Sequence, residues 1–263
     1  MYDITEAKPT LSFSKEIVNA GAFSPNDDSL ATLMSDGSIA VWDTDSGRKQ
    51  IRFKAHSRPK SRVASGRTIA YSPGGKYIVS GGFDKAVKLW DAKTGKLVRV
   101  IFEFENRVSR VGFSVDGTRI FAASYDSTAK LLDSNSGDLI ADLGKQPKPI
   151  LSVAFSPDGK TFATGGADGV IKIWSAIDGV HLKTFSENAG FIWQVAFSPD
   201  GKRLASATGE GVIRLWDTES DLEVLAIRTD SAVTNLLSFT PDGKTLVSHG
   251  TNERIRMRES SAK

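Results

Sequence analysis

The sequence predicts an all-β protein made of six copies of one small antiparallel sheet. Three observations carry that expectation. An aromatic residue ahead of a turn recurs at near-constant spacing along all 263 residues, each interval holds four short runs of strand character, and no segment sustains a helical period.

The recurring element is Phe23-Ser24-Pro25, Tyr71-Ser72-Pro73, Phe113-Ser114-Val115, Phe155-Ser156-Pro157, Phe197-Ser198-Pro199 and Phe239-Thr240-Pro241, at spacings of 48, 42, 42, 42 and 42 residues. A second marker falls 19 residues after each aromatic: Trp42, Trp90, Leu132, Trp174, Trp216 and Arg258. In the unit spanning 150–186, the apolar run Ile150–Phe155 is closed by Pro157-Asp158-Gly159, where proline presets φ and glycine accepts φ > 0. Thr161–Thr164 is the second strand and Ala167-Asp168-Gly169 the hairpin turn. Val170–Trp174 alternates at period two, and His181–Phe185 is the fourth strand.

A four-stranded sheet cannot bury both of its faces alone, so the copies must stack or close into a ring that shares faces between neighbours. Closure also removes exposed edges. The amino terminus decides between them. An apolar residue of the fourth strand lies 12 before each later marker (Ile101, Leu143, Phe185, Ile227, with Phe53 in the same role), and Leu11 lies 12 before Phe23. The last unit ends five residues past Arg258, without a fourth strand of its own. The expectation is a six-bladed β-propeller in one domain, 1–263, with blades at about 15–54, 63–103, 106–144, 148–186, 190–228 and 231–263, the last completed by the N-terminal strand 5–14.

Ser156-Pro157-Asp158-Gly159-Lys160, Thr164–Asp168, Ile171–Trp174, Lys88–Asp91 and Arg214–Asp217 resemble the consensus of the tryptophan-aspartate (WD) repeat family of propellers across essentially the whole chain. The resemblance implies a buried hydrogen-bond network of His, Ser/Thr, Asp and Trp. Only the second unit holds it in full, as His56, Ser80, Asp84 and Trp90, with Ala55 in place of the usual glycine. Elsewhere the histidine position is Ser14, Phe104, Gln146, Asn188 or Asp230, which shifts the stabilising role toward apolar packing and turns. Similar proteins most often have seven blades, so six is a departure.

Composition excludes several functions. There is no cysteine, hence no disulfide, thiol nucleophile or cysteine-bound metal. No apolar stretch approaches the length of a membrane helix, the start lacks the pattern of a secretory signal, and no Asn-x-Ser/Thr site occurs, so the expected location is intracellular, cytoplasmic or nuclear, without membrane association. Three histidines, His56, His181 and His249, sit at unrelated repeat positions and form no ligand ring. The Gly-Lys-Thr triplets at 159–161 and 243–245 lack the upstream glycine of a phosphate loop and join two strands. Residues expected near the central channel, among them Ala20, Thr68, Arg110, Ser152, Gln194 and Ser238, include no carboxylate, so a channel hydrolase is disfavoured. Neither a catalytic residue, a metal nor a cofactor is expected.

Function is expected where units depart from their consensus. The first departure is charge. From Ser46 to Phe83 there is no acid, against nine cations that include Arg58, Lys60, Arg62 and Arg67, and a six-residue insertion lies near 56–63. This is either a solvated loop or a site for acidic peptide, phosphopeptide or nucleic-acid phosphate. The second departure is aromatic. In similar propellers partners contact the residue before the turn Asp and those six and four places before the marker, on the top face. Transferred here, the positions single out Phe83, Tyr125, Phe191, Trp193, Arg67 and Arg107. Aromatics and arginines dominate interface energetics, although Phe191 and Trp193 could instead pack between blades. The expected function is a non-catalytic scaffold or adaptor that binds a protein segment, acidic or phosphorylated, on that face, as a subunit of a larger complex. The alternative is a nucleic-acid-associated factor using the basic 46–83 region.

Overall fold

In the computed structural model, residues 17–57, 66–186, 190–229, 234–250 and 256–259 are described. Among them there are only strands and turns. Sheet 1 is the meander β1 (Val18–Phe23), β2 (Ser29–Met34), β3 (Ser38–Asp43) and β4 (Lys49–Lys54). Sheet 2 is β5 (Gly66–Tyr71), β6 (Tyr77–Gly82), β7 (Ala86–Asp91) and β8 (Leu97–Glu103). Sheet 3 is β9 (Val108–Phe113), β10 (Arg119–Ser124), β11 (Thr128–Asp133) and β12 (Leu139–Lys145). Sheet 4 is β13 (Ile150–Phe155), β14 (Thr161–Gly166), β15 (Val170–Ser175) and β16 (His181–Ser186). Sheet 5 is β17 (Ile192–Phe197), β18 (Arg203–Thr208), β19 (Val212–Asp217) and β20 (Glu223–Arg228). The last sheet has three described strands, β21 (Thr234–Phe239), β22 (Thr245–Gly250) and β23 (Arg256–Glu259); residues 5–14, expected to complete it, lie outside the described residues.

The chain divides into two compact units, Met1–Asp126 with Lys130–Leu139, and Ser127–Ala129 with Ile140–Lys263. In the first, β1 lies beside β5 and β5 beside β9; in the second, β13 lies beside β17 and β17 beside β21. Second strands such as β6, β10, β14 and β18 are buried over five of their six residues, and they are rich in Ala, Ser and Gly, small side chains that permit close packing. Fourth strands are open: four of the six residues of β4 and five of the six of β20 are exposed. The tryptophan markers close the gaps between sheets. Trp90 packs with Ile39, Val41 and Ile78 in the first unit, and Trp216 with Ile171, Phe185 and Leu204 in the second.

One cross-sheet contact recurs in both units. The Val111 N–H donates to Thr68 Oγ1 at 3.0 Å, and the Val195 N–H to Ser152 Oγ at 3.0 Å. Thr68 and Ser152 are therefore buried against the next inner strand rather than channel-facing, as their sequence positions had implied; a hydroxyl satisfying a buried amide is worth more than one left in water. The inner strands also share a bulge. Pairing with the second strand skips Asn19, Arg67, Ser109, Trp193 and Asn235, each four residues before its aromatic marker. A bulged residue re-aims its side chain at the end of a strand.

Candidate interaction sites

In the first unit, the His56 imidazole lies 2.7 Å from Asp84 Oδ1 through Nδ1 and 2.7 Å from Ser80 Oγ through Nε2. Trp90 Nε1 donates to the same Ser80 Oγ at 2.8 Å. Lys88 Nζ donates to Asp84 Oδ2 at 2.7 Å and to the Ala55 carbonyl at 2.9 Å. Burial pushes the Asp84 carboxyl up, but the His56 hydrogen bond, the His56 charge interaction and Lys88 outweigh it and bring the group down to about 2. The order Asp, His, Ser is that of a charge relay, yet Ser80 is wholly buried and its oxygen already takes the indole, so no substrate carbonyl can reach it. The constellation ties β6 and β7 to the loop after β4. Where the histidine is missing, part of the chain survives: Trp42 Nε1 donates to Thr32 Oγ1 at 2.7 Å and Trp174 Nε1 to Thr164 Oγ1 at 2.9 Å. Gln146 in the histidine slot donates to the Leu143 carbonyl at 2.9 Å and accepts from Lys172 Nζ at 2.5 Å.

At the β6–β7 end of the same unit the structure brings three of the sequence-selected residues together. The Arg107 guanidinium carbon stands 3.9 Å from the Tyr125 ring centroid and 5.0 Å from that of Phe83. All three side chains are half-buried, and the Tyr125 N–H donates to the Arg107 carbonyl at 3.0 Å. One guanidinium is thereby within cation–π reach of two rings, while its N–H groups have no hydrogen-bond or ion-pair partner among the described residues. In the second unit Phe191 and Trp193 meet edge to face at 6.1 Å, with Phe191 51% exposed and Trp193 half-buried. Among the described residues, the buried side-chain polar atoms without a hydrogen-bond partner are Asn19 Nδ2, Ser109 Oγ, Arg119 Nε and Trp193 Nε1. Three of these belong to bulge residues, so unmet donors concentrate at one repeat position.

Arg58, Lys60 and Arg62 lie outside the described residues, and Arg67 is described only as part of β5. Other cations of the basic window are engaged within the chain. Arg52 pairs with Asp36 at 2.8 Å, Lys49 lies over Trp42 and Lys76 over Tyr77. No cluster of three His, Asp or Glu placed to hold a metal occurs among the described residues. Sequence reasoning missed one feature, a cleft of about 820 Å³ between sheets 1 and 2 lined by the β1–β2, β5–β6 and β7–β8 turns. Its signal was Gly74, which stands where four of the other five Ser/Thr turns carry an aspartate and the first carries Asn26.

Comparison with known proteins agrees with this architecture. The WD domain, G-beta repeat family matches residues 7–43, 47–91, 95–133, 137–175 and 179–217. The chain is similar to Protein tipD of Dictyostelium discoideum (31% identical over 38% of this chain and 15% of that protein) and to THO complex subunit 6 of Arabidopsis thaliana (33% identical over 32% of this chain and 21% of that protein). It is also similar to Protein groucho of Drosophila melanogaster, 28% identical over 41% of this chain and 14% of that protein. These alignments take in well under a quarter of the length of each relative. With family matches in register over most of its length, and with the repeated meander, turn and tryptophan contacts that such repeats require, the chain belongs to the WD-repeat family.

Proposed function

We propose that this chain is a non-catalytic interaction scaffold, a closed six-bladed propeller that holds a segment of another protein on the face bearing Phe83, Arg107, Tyr125, Phe191 and Trp193. The observation that carries the reading is the Arg107 stack. A guanidinium held against two rings has lost rotamer freedom before a partner arrives, and its donors remain available, which is the condition for an interface hot spot. Acidic or phosphorylated residues suit Arg107, with Arg58, Lys60, Arg62 and Arg67 as further cations. Relatives named as subunits of complexes fit a role as one subunit of a larger assembly in the cytoplasm or nucleus.

Closure has its own support. Each later family match begins just before or at an outer strand (β4, β8, β12, β16), and the first begins at residue 7, ahead of β1, where an outer strand for the last sheet would be.

The test is affinity purification with quantitative mass spectrometry on the natural chain, on Arg107→Ala and on Phe83→Ala with Phe191→Ala. Each variant should lose a common set of co-purifying proteins, with affinity down by roughly thirtyfold (about 2 kcal/mol per hot spot) and the melting temperature unchanged. Retention of that set, or loss only in step with melting, overturns the reading.

A further inference from the structure

Five of the six inner hairpins close their first turn with a carboxylate from their own chain. Ser114 Oγ donates to Asp116 Oδ1 at 2.5 Å while the Thr118 N–H donates to the same oxygen at 3.0 Å. The pattern repeats with Ser156, Asp158 and the Lys160 N–H (2.6 and 3.0 Å), and with Ser198, Asp200 and the Lys202 N–H (2.5 and 3.0 Å). Thr240, Asp242 and the Lys244 N–H do the same at 2.6 and 3.1 Å. In sheet 1 the carboxylate comes two residues later, with Ser24 Oγ donating to Asp28 at 2.9 Å. These donors favour the ionised acid: hydrogen bonds from Ser156 and Lys160 hold the Asp158 carboxyl below the usual range, and those from Ser198 and Lys202 do so for Asp200.

The β5–β6 turn has the same frame without the acid. Its Ser72 N–H donates to the Tyr77 carbonyl at 2.9 Å, the Tyr77 N–H to Ser72 Oγ at 3.0 Å, and the Gly75 N–H to the Ser72 carbonyl at 2.8 Å. In the β13–β14 turn the corresponding distances are 2.9, 3.0 and 2.9 Å. Since the frames coincide, the Ser72 hydroxyl and the Lys76 N–H stand where a carboxylate oxygen would meet both, and neither has an acceptor among the described residues. Gly74 brings no side chain, and a Cβ built on it meets nothing within 4 Å. The position opens on the cleft of about 820 Å³; the corresponding cleft between sheets 4 and 5, walled by Asp158 and Asp200, is about 340 Å³.

We propose that the Ser72–Lys76 turn is a binding site for a carboxylate monoanion from outside the chain, which takes the place of the aspartate that Gly74 does not supply. The Lys76 and Lys93 ammonium groups balance Asp28 and Asp91 along the lining, so one added negative charge is tolerated better than two. Tyr71, Gln50 and Asn26 offer further polar contacts to whatever carries the acid. The site lies at the opposite end of β6 from Phe83 and does not depend on the interaction face proposed above.

The experiment is an amide NMR titration of the natural chain with sodium acetate, with acetamide and sodium chloride as controls. The Lys76 amide should move downfield and saturate with acetate alone, while Lys160 and Lys202, already bonded to their own aspartates, stay still. Gly74→Asp should shift the Lys76 amide in the same direction without ligand and abolish its response, and Ser72→Ala should weaken binding by about tenfold. Equal movement of Lys160, equal effects of chloride or acetamide, or an unaltered titration in Gly74→Asp overturns the proposal. Should that variant fail to fold, the acetate and acetamide contrast on the natural chain decides. Tighter binding of N-acetylglycine than of acetate identifies a chain terminus as the source; tighter binding of N-acetylaspartate methylamide identifies an acidic side chain. Parity of the three identifies a small organic acid.

Discussion

Asp84 shows how a single carboxylate couples a loop to two strands. Its oxygens take His56 on one side and Lys88 on the other, and its folded value of about 2 lies below the 3.8 expected of an unstructured chain. Because the folded value is the lower one, the stabilisation is complete above about pH 4 and is lost as pH falls through 2. The natural chain should therefore unfold at higher urea than Asp84→Asn at pH 5, with the two midpoints converging as pH approaches 2; a gap that stays constant would show that ionisation contributes nothing. The four members of this network were legible in the sequence only through the resemblance to the WD-repeat family, whose pattern the second unit alone holds in full. The addition of Lys88 was not, since a lysine four residues after an aspartate in a strand hairpin carries no spacing rule of its own. The Arg107 stack was legible only as three separate positions. That they touch depends on the loop after β8 folding over the β6–β7 turn, which no local pattern encodes.

Adjacent sheets are held at a distance set by glycine. A Cβ on Gly81 would come within 2.3 Å of Val108 Cγ1 and 2.9 Å of Thr68 Cγ2, and one on Gly165 within 2.5 Å of Ile192 Cγ2. Neither backbone adopts a positive φ, so the requirement for glycine is one of space, imposed by the neighbouring inner strand. Gly81→Ala should lower stability by about 1–3 kcal/mol, through overpacking and displacement of the Thr68 bond to the Val111 amide, and Val108→Ala should restore part of it in the double variant. Thermal unfolding of the three proteins checks this, and independent, additive losses would refute it. Within a sheet, strands and turns were legible because apolar alternation and Ser-Pro-Asp-Gly turns are local. Contacts between sheets join residues 43 positions apart, such as Thr68 with Val111 and Ser152 with Val195, and nothing in either segment alone marks them.

At the scale of the molecule each of the six aromatic markers ends the first strand of a described sheet, and the register of the sheets gives a test of the closed ring we propose. Ile171 pairs with Phe185 in sheet 4 and Ile213 with Ile227 in sheet 5, in each case the residue 16 after one marker with that 12 before the next. The same offsets would set Leu11 opposite Ile255. Paired residues of antiparallel strands have Cα atoms about 4.5–5.5 Å apart, within the reach of a disulfide. The chain contains no cysteine, so a double substitution introduces the only two thiols. Leu11→Cys with Ile255→Cys should form an intramolecular disulfide under mild oxidation, seen as protection from alkylation, and the closed loop of more than 200 residues should raise the melting temperature, since cross-linking distant segments restricts the unfolded chain by several kcal/mol, about 4–5. Leu11→Cys with Val180→Cys should stay reduced, because Val180 begins the outer edge of a sheet that already has four strands. Free thiols in the first pair under conditions that oxidise a small dithiol would mean that the amino-terminal segment does not complete the last sheet, and would leave the chain as an array of sheets rather than a ring.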